Sequence, residues 1–125
     1  MSAEHDHPIT IESNPNRVRV VFNGRVVADT TRALTMREAG YRPVQYVPRE
    51  HADLSLLERT DHRTHCRHKG DAAYYTIKVD GQAATNAVWT YETPLPGVAA
   101  IKDRLAFYPN RVDRIEEIPS SEVSP

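Results

Sequence analysis

The sequence predicts a mostly β protein: a single compact, barrel-like or tent-like antiparallel β domain with one or two short helices. Two pairs of apolar, β-branched runs support this fold class, since one pair flanks Asn23-Gly24 and the other flanks Asp80-Gly81. Asn-Gly and Asp-Gly between such runs are typical of two-residue β-hairpins. The other apolar runs are short and are separated by Gly and Pro, which favours short strands.

The first half of the chain is predicted to contain a lead-in, a hairpin and short strands. Residues 1–16 are expected to be a flexible lead-in, because they are polar and end in a turn-rich segment. Residues 18–28 form the first predicted hairpin. Residues 34–38 form a strand or a short helix. Residues 44–47 form a strand that ends at Pro48, since proline lacks the amide donor that a sheet requires.

The second half is predicted to contain a reactive loop, a second hairpin and several short elements. Asp53 is expected to cap one helical turn over residues 53–58, and residues 64–71 are expected to form a loop. The second hairpin pairs residues 74–79 with residues 83–91. The remaining predicted elements are a helix over 98–103, a strand over 105–108, an edge strand over 112–118 and a polar tail over 119–125.

Composition excludes several classes of function. Residues 17–118 of the 125-residue chain suffice for one β-rich domain with a single modest core. The net charge of −1 gives no general attraction to nucleic acid or to anionic membranes. No apolar run approaches the ~20 residues that span a bilayer, and residues 1–7 lack the apolar core of a secretory signal. A single cysteine excludes an intramolecular disulfide and favours a reducing cytoplasm.

Residues 64–71 concentrate reactive and turn-forming side chains. Cys66 is the one cysteine, and the neighbouring Arg67, Lys69 and histidines carry charge that can stabilise its thiolate. The thiolate, rather than the thiol, is a good nucleophile. Cys66 and Lys69 are therefore the candidate catalytic residues. The alternative is that Cys66 is a small, buried apolar residue at the start of a strand.

Histidines close to Cys66 raise the question of a metal site. His62, His65 and His68 all lie within four residues of the cysteine. A structural zinc site uses four ligands, usually arranged as two spaced pairs, and no clear second pair is present here. Solvated or hydrogen-bonded histidines are therefore predicted, with no metal and no cofactor.

Cationic and aromatic side chains together predict a ligand pocket. Lysine and arginine side chains can hold a carboxylate or a phosphate, and tyrosine hydroxyls beside them suit a partly polar pocket. Alternation along a strand sends Tyr74 and Tyr75 to opposite faces. The alternative is that the charges are scattered and solvated and that the aromatic side chains only pack. The candidate ligand-binding residues are Tyr46, Arg49, His65, Lys69, Tyr74, Trp89, Lys102 and Tyr108.

Short segments spread over residues 18–112 form a recognisable set. They are Tyr46-Val47-Pro48-Arg49-Glu50, Thr64-His65-Cys66 with Lys69-Gly70, Ala73-Tyr74-Tyr75, Asn86-Ala87-Val88-Trp89-Thr90-Tyr91, Ile101-Lys102, and Phe107-Tyr108 with Val112-Asp113. In this order and spacing they resemble the bacterial family of domains of unknown function numbered 427, which carries a nucleotidyltransferase-like label. The resemblance covers most of the chain.

The resemblance implies a compact β-rich domain, of the tent-like type. Nucleotidyltransferases hold magnesium with clustered carboxylates. No Asp-x-Asp pair is present in this chain. Asp71, Asp80 and Asp103 are separated in sequence and are interpreted as turn or cap residues. The label is therefore not carried over to this chain as an activity.

Three hypotheses for the function remain open. The first is a small-molecule binding domain whose pocket takes a small anionic or polar metabolite. The second is an enzyme, either with Cys66 as nucleophile and a neighbouring histidine as base, or with Lys69 and Tyr74 in acid–base chemistry. The third is a protein-interaction module that forms a homodimer through an exposed strand edge such as residues 112–118. Nucleic acid and membranes are not expected partners.

Overall fold

The computed structural model describes residues 8–119, which form ten strands in three antiparallel sheets. The strands are β1 (Ile9–Ser13), β2 (Arg17–Phe22), β3 (Arg25–Thr30), β4 (Leu34–Glu38), β5 (Val44–Tyr46), β6 (Leu57–Cys66), β7 (Gly70–Val79), β8 (Gln82–Tyr91), β9 (Ala106–Phe107) and β10 (Arg114–Ile118). The strand order is β1-β4-β5 in the first sheet, β10-β2-β3 in the second and β6-β7-β8-β9 in the third. The predicted mostly β class is confirmed, with a barrel-like arrangement that is not closed.

Two isolated backbone bridges add to the ladders of the three sheets. Val47 follows β5 and pairs with Leu105, just before β9, through two backbone hydrogen bonds of 2.8 and 2.9 Å. Ala28 of β3 forms a second bridge, with Ala52. The Val47–Leu105 junction joins the first sheet to the third. Tyr46, one residue earlier, is thereby brought against the end of β8.

Both predicted hairpins are confirmed. Asn23 and Gly24 have φ angles of 50° and 75°, and Asp80 and Gly81 have φ angles of 47° and 81°. Two consecutive positive φ angles are the mark of the type I′ turn, whose twist matches that of the paired strands. The first turn joins β2 to β3 and the second joins β7 to β8.

Strand β7 contributes side chains to two apolar clusters, one on each face of the third sheet. Tyr75 and Ile77 are buried in the first cluster together with Val88. Tyr74 is buried in the second cluster together with Tyr91. The predicted alternation of Tyr74 and Tyr75 is therefore confirmed. Because both faces of β7 are covered, this strand separates two distinct environments.

Residues 9–13 do not belong to the flexible lead-in expected over residues 1–16. They form β1, which pairs antiparallel with β4. Ile9 and Ile11 alternate with polar residues, and both pack against the second apolar cluster. The strand is only five residues long and its alternate side chains are exposed, so polar composition hid its period-two pattern. Residues 1–7 lie outside the described residues.

The loop expected over residues 64–71 is instead a tight turn between two long strands. Strand β6 continues to Cys66 and β7 begins at Gly70. Gly70 has a φ angle of 113°, and a Cβ atom on it would lie 3.3 Å from the backbone oxygen of Thr93. Polar and charged composition hid the strand, because most β6 side chains are exposed and show no apolar alternation.

Helical segments in residues 8–119 are short and of the 3-10 type. Asp53 caps the segment Leu54–Leu56 by accepting a backbone hydrogen bond, as predicted. The helix expected over residues 98–103 is a 3-10 segment over Pro96–Ile101 that is kinked at Val98. It begins earlier than expected because proline suits the first helical position. The other two 3-10 segments are Arg49–His51 and Pro109–Arg111.

The remaining predicted strands are present, some with shorter bounds. Residues 34–38 form strand β4, not a helix. Strands β5 and β9 are shorter than expected, and β10 lies at the edge of the second sheet as expected for residues 112–118. Beyond residue 119, the predicted polar tail lies outside the described residues. No helix that the structure describes has the length and apolar character needed to cross a membrane.

Candidate functional site

An open cavity of about 1070 Å³ is lined by side chains from all three sheets. Strands β2 and β10 of the second sheet contribute side chains to the lining. Strands β4 and β5 of the first sheet and β8 of the third also contribute. Exposed residues of two turns, Tyr41 and Arg42 after β4 and Arg67 after β6, also line it. Small-molecule sites have volumes of roughly 300–1,000 Å³, so the cavity is large enough for a metabolite.

A largely buried ion pair lies in the lining of the cavity. The Lys69 Nζ donates a hydrogen bond of 2.7 Å to the Glu38 Oε1. The two side chains are only 12% and 10% exposed. The tight turn between β6 and β7 brings Lys69 to the end of β4, where Glu38 is the last strand residue. The cavity therefore offers a positive and a negative group side by side.

Four aromatic side chains form one connected part of the lining. The ring centroids of Trp89 and Tyr108 lie 4.5 Å apart, and those of Trp89 and Tyr46 lie 6.4 Å apart, edge to face. The Trp89 Nε1 donates a hydrogen bond of 3.3 Å to the Tyr46 hydroxyl. Tyr74 stacks with Tyr108 at a centroid distance of 6.5 Å. These contacts hold the rings in fixed positions, so their faces and edges form a preformed apolar surface.

Hydroxyl groups near this aromatic surface are hydrogen-bonded to one another. The Tyr74 hydroxyl lies 2.9 Å from the Thr64 Oγ1 and 3.3 Å from the Tyr108 hydroxyl. Burial, together with the hydrogen bond to Tyr74, raises the pKa of Tyr108 to about 12. Burial also raises the pKa values of Tyr46 and Tyr91. Tyr108, Tyr46 and Tyr91 are therefore neutral near pH 7 and act as hydrogen-bonding groups rather than as bases.

Cys66 lines the cavity as a half-buried free thiol. The adjacent His65 also lines it, and its Nδ1 lies 2.7 Å from the Asp71 Oδ1. The side chains of His65 and Asp71 are both 71% exposed, so this pair lies at the solvent side of the site. His65 pairs with Asp71 in the β6–β7 ladder, which explains their contact. The arrangement places a thiol next in sequence to a His–Asp pair.

The structure brings together most of the predicted site residues. Those that line the cavity are Cys66 and six of the eight candidate ligand residues, namely Tyr46, His65, Lys69, Tyr74, Trp89 and Tyr108. Arg49 and Lys102 do not line it. The Arg49 guanidinium lies 5.4 Å from the centroid of the Tyr75 ring, on the other face of the third sheet. Lys102 is exposed and donates a hydrogen bond to Asp103.

The predicted site lacks several lining residues, and two of these, Glu38 and Tyr91, lie next to predicted ones. Glu38 is the partner of Lys69, and Tyr91 is buried beside Tyr74 in the second apolar cluster. Both are recognisable by strand alternation. A strand over residues 34–38 puts Glu38 on the same face as the buried Met36, and Tyr91 lies two residues after Trp89 on β8.

Comparison with known protein families identifies the group to which the chain is related. A family model described as "Domain of unknown function (DUF427)" matches residues 10–118, most of the chain. The chain belongs to this family. The resemblance carried by the short segments is thereby confirmed. The DUF427 match begins within β1, so the strand in the expected lead-in is part of the family domain. No curated protein matches the chain.

Two histidines of the described part of this DUF427 domain, His51 and His62, contact other side chains. Within residues 8–119, no group of three or more His, Cys, Asp or Glu side chains is placed to hold a metal. The rings of His62 and Tyr74 contact each other at a centroid distance of 4.5 Å. The His51 Nδ1 lies 2.7 Å from the Thr30 Oγ1. Ring contacts and hydrogen bonds thus account for the positions of these imidazoles.

Proposed function

We propose that this DUF427 domain binds a small polar or anionic metabolite in the cavity between its sheets. The observation that carries the proposal is the cavity itself, with a volume of about 1070 Å³ and a lining that combines aromatic rings, hydroxyl groups and an ion pair. Preformed concave sites that combine apolar walls with a few placed polar groups are the usual form of small-molecule sites.

The distribution of polar groups supports a ligand with two different ends. Arg42 and Arg67 are exposed residues of the lining, so they favour a carboxylate or phosphate near the opening. Trp89 and Tyr108 offer ring surfaces, which favour a flat or apolar part of the ligand. Lys69 keeps Glu38 as its partner and adds donors to the same cavity. A ligand of this kind buries its apolar part and leaves its charged group near solvent.

A fluorescence titration tests the proposal directly. Trp89 is the one tryptophan in the chain and lines the cavity, so its emission reports on occupation of the site. A panel of small carboxylates and phosphorylated metabolites is added, and the melting temperature is measured in parallel. A binder is expected to change the emission and to raise the melting temperature over the same concentration range, because it binds the folded state.

Matched variants locate the binding. Tyr108→Phe removes one hydroxyl from the lining and is expected to weaken binding by roughly five- to tenfold if the ligand bonds to it. Lys102→Met removes an exposed lysine that lies outside the cavity, and binding is expected to be unchanged. Equal affinity in the wild type, Tyr108→Phe and a Lys69→Met variant that remains folded would place the ligand elsewhere and contradict the proposal.

A second candidate function is thiol chemistry at Cys66. The observation that favours it is the position of this free thiol on the cavity lining, to which Lys69 also contributes. A neighbouring histidine, His65 or His68, is the candidate base, and both line the cavity. A single cysteine also fits a reducing bacterial cytoplasm, where the thiol stays free. An enzyme with Lys69 and Tyr74 in acid–base roles would use the same cavity.

Alkylation separates the thiol enzyme from a pure binding domain. A catalytic Cys66 is expected to react quickly with iodoacetamide near pH 7, because thiolate character determines the rate. Cys66→Ser is then expected to abolish turnover of a bound ligand while leaving its affinity similar. A thiol that reacts no faster than free cysteine, together with unaltered ligand chemistry in Cys66→Ser, would rule out this role.

A homodimeric interaction module is the third hypothesis. Strand β10 lies at the edge of the second sheet, and an edge strand presents backbone groups to another chain. Light scattering with a titration of protein concentration tests it. A dimer that Ile115→Lys disrupts supports the hypothesis, and a monomer at all concentrations contradicts it.

A further inference from the structure

Two arginines of β6 lie on the face of the third sheet that is opposite the cavity-lining Tyr74. The β6 register shifts between Arg59 and Arg63. Arg59 is paired with Tyr75 and Arg63 with Ala73, so three β6 residues lie across from one β7 residue. Tyr75 and Ala73 are two residues apart and share one face of β7. The bulge therefore places both arginines on that face, next to each other along the sheet.

A third arginine and one carboxylate complete this group. Arg59 makes two hydrogen bonds to Glu92, with Nη1–Oε2 and Nη2–Oε1 distances of 2.6 and 2.8 Å. Arg49 packs over the Tyr75 ring at 5.4 Å. Hydrogen bonds from Arg59 lower the pKa of Glu92, and the charges of Arg63 and Arg49 act in the same direction. All three guanidinium groups are therefore within electrostatic range of one carboxylate.

Charge is not balanced within this group of described residues. Three guanidinium groups share this face with two carboxylates, Glu92 and Asp71, and Asp71 is bonded to His65. One net positive charge therefore remains. Two hydrogen bonds to Glu92 fix the Arg59 guanidinium, and packing on the Tyr75 ring fixes that of Arg49. Two of the three guanidinium groups therefore have defined positions. The Arg59 and Glu92 side chains are 42% and 39% exposed, so a ligand can reach them from solvent. Planar arginine forks match the oxygens of a phosphate group.

We propose that Arg49, Arg59 and Arg63 form a second ligand site, which takes the phosphate group of a small molecule. The site is separate from the cavity, since it lies on the opposite face of β7. Arg63 and Arg49 supply the donors for the phosphate oxygens, and Arg59 adds positive charge while it remains bonded to Glu92. The proposal does not depend on the ligand of the cavity.

Phosphate binding measured at constant ionic strength tests this site. Inorganic phosphate and glycerol 3-phosphate are titrated by isothermal calorimetry, with chloride replaced so that ionic strength stays fixed. Saturable binding of at least one probe is expected. Tighter binding of glycerol 3-phosphate indicates a phosphorylated small molecule, and equal binding indicates free phosphate as the natural ligand; both results support the site.

Arginine variants assign the binding to this group. Arg63→Gln and Arg49→Gln are each expected to weaken binding by roughly tenfold or more, because each removes a charged fork. The control is Arg25→Gln, an exposed arginine with one ion pair of 3.9 Å to Asp53, and it is expected to bind as the wild type does. Unfolding temperatures without phosphate show that each variant is folded.

Three results would overturn the proposal. The first is the absence of saturable binding for both probes. The second is unchanged affinity in Arg63→Gln and Arg49→Gln. The third is a loss of phosphate affinity in Lys69→Met that is absent from Arg63→Gln, since that pattern would place the phosphate in the cavity instead.

Discussion

At the scale of single residues, the Lys69–Glu38 ion pair places two opposite charges in the lining of the cavity. It is nearly buried, at 12% and 10% side-chain exposure, so loss of one partner leaves the other charge in a poorly solvated position. A second lysine pair, Lys78–Glu58, has a similar distance of 2.9 Å but is 55% and 61% exposed. The two pairs therefore differ mainly in burial, which makes one a control for the other.

Removal of Lys69 is expected to destabilise the fold strongly. Lys69→Met leaves the Glu38 carboxylate in the cavity lining without its lysine partner, which should lower the free energy of unfolding by about 3 kcal/mol. Lys78→Met should lower it by less than about 1 kcal/mol, because exposed pairs are solvated and screened. Urea unfolding of both variants measures the difference. Equal losses would show that burial of the Lys69 pair has no energetic effect.

The same substitution, Thr→Val, is expected to have opposite effects on stability at two buried threonines. Thr90 is 0% exposed, and its hydroxyl has no hydrogen-bond partner in the described structure. Thr35 is 7% exposed, and its hydroxyl donates to Gln45 at 2.8 Å. Thr90→Val should raise stability by up to about 1 kcal/mol, whereas Thr35→Val should lower it by about 1–2 kcal/mol. Thermal unfolding that ranks the two variants the other way would contradict these hydrogen-bond assignments.

Much of the candidate site could be predicted from residue types alone, and the failures have physical causes. The cysteine, lysine and aromatic residues were identifiable because such groups seldom cluster without a pocket or core to hold them. Arg49 is predicted to lie in the same pocket, but it packs over Tyr75 on the opposite face of the third sheet. Residue type alone does not indicate which face a side chain contacts. Strand alternation places Glu38 on the face of the buried Met36, but its partner Lys69 is 31 positions away in sequence, so the ion pair follows only from the fold.

Turn glycines determine where the strands reverse, at the scale of structural elements. Gly81 has a φ angle of 81° with open space around its missing Cβ, whereas Gly70 has a φ angle of 113° and the Thr93 oxygen 3.3 Å from that position. Gly97 has open space and no positive φ angle. Substitutions at the three positions can therefore distinguish the cost of backbone strain, present at Gly81 and Gly70, from the cost of steric contact, present only at Gly70.

Alanine substitutions at these glycines are expected to differ in cost. Gly97→Ala should be neutral or slightly stabilising, because it restricts the unfolded chain without strain. Gly81→Ala should cost about 1–2 kcal/mol through its left-handed backbone alone. Gly70→Ala should cost more than Gly81→Ala, since the new Cβ also meets the Thr93 oxygen. Denaturant unfolding that gives Gly97→Ala the largest loss would contradict this ranking.

The β2–β3 hairpin is expected to contribute stability that is lost in acid. Arg17 donates two hydrogen bonds, of 2.7 and 2.6 Å, to Asp29 across the hairpin, and these bonds lower the pKa of the Asp29 carboxyl. The folded state therefore binds this proton less tightly than the unfolded chain does. The stabilisation is complete above the ordinary carboxyl pKa of about 3.9 and is lost as pH falls through the lowered folded value.

Asp29→Asn is the variant that tests this pH dependence. It should be less stable than the wild type near pH 7, and its stability should fall less steeply with pH below about 4. Asp61→Asn, at an exposed position of β6, is the control and should follow the wild-type curve. Parallel curves for Asp29→Asn and the wild type would show that the Arg17 contact adds no acid-sensitive stability.

Strand prediction succeeded where turn chemistry was explicit and failed where it was not. Asn-Gly and Asp-Gly placed both type I′ hairpins, because few other sequences accept two consecutive positive φ angles. The edge strands β1 and β6 show no comparable sequence signal. In β1 the alternate side chains are exposed and polar, and in β6 most side chains on both faces are. An edge strand can be held by backbone pairing alone, which composition does not reveal.

At the scale of the whole molecule, the inner strand β7 of the third sheet separates two environments. Tyr74 faces the cavity with its hydroxyl network, and Tyr75 lies beneath Arg49 on the other face. One strand thus supports both the cavity and the proposed phosphate site. The mostly β class could be predicted from the short apolar runs and the turn residues. The arrangement of the three sheets around the cavity could not, because it depends on long-range pairs such as Val47 with Leu105.

Native mass spectrometry of the untagged protein, before and after a bulky maleimide is attached to Cys66, tests the central claim of a ligand cavity most directly. Cys66 is the one cysteine and lines the cavity, so the label occupies the proposed site and no other thiol. We predict a discrete small-molecule adduct, carried from the cell or added from the panel, on the unlabelled protein and its loss after labelling. Because the proposed arginine site stays accessible after labelling, the deciding adduct is a compound without a phosphate group. Its persistence at full occupancy on the labelled protein, or no adduct under any condition, would contradict the account.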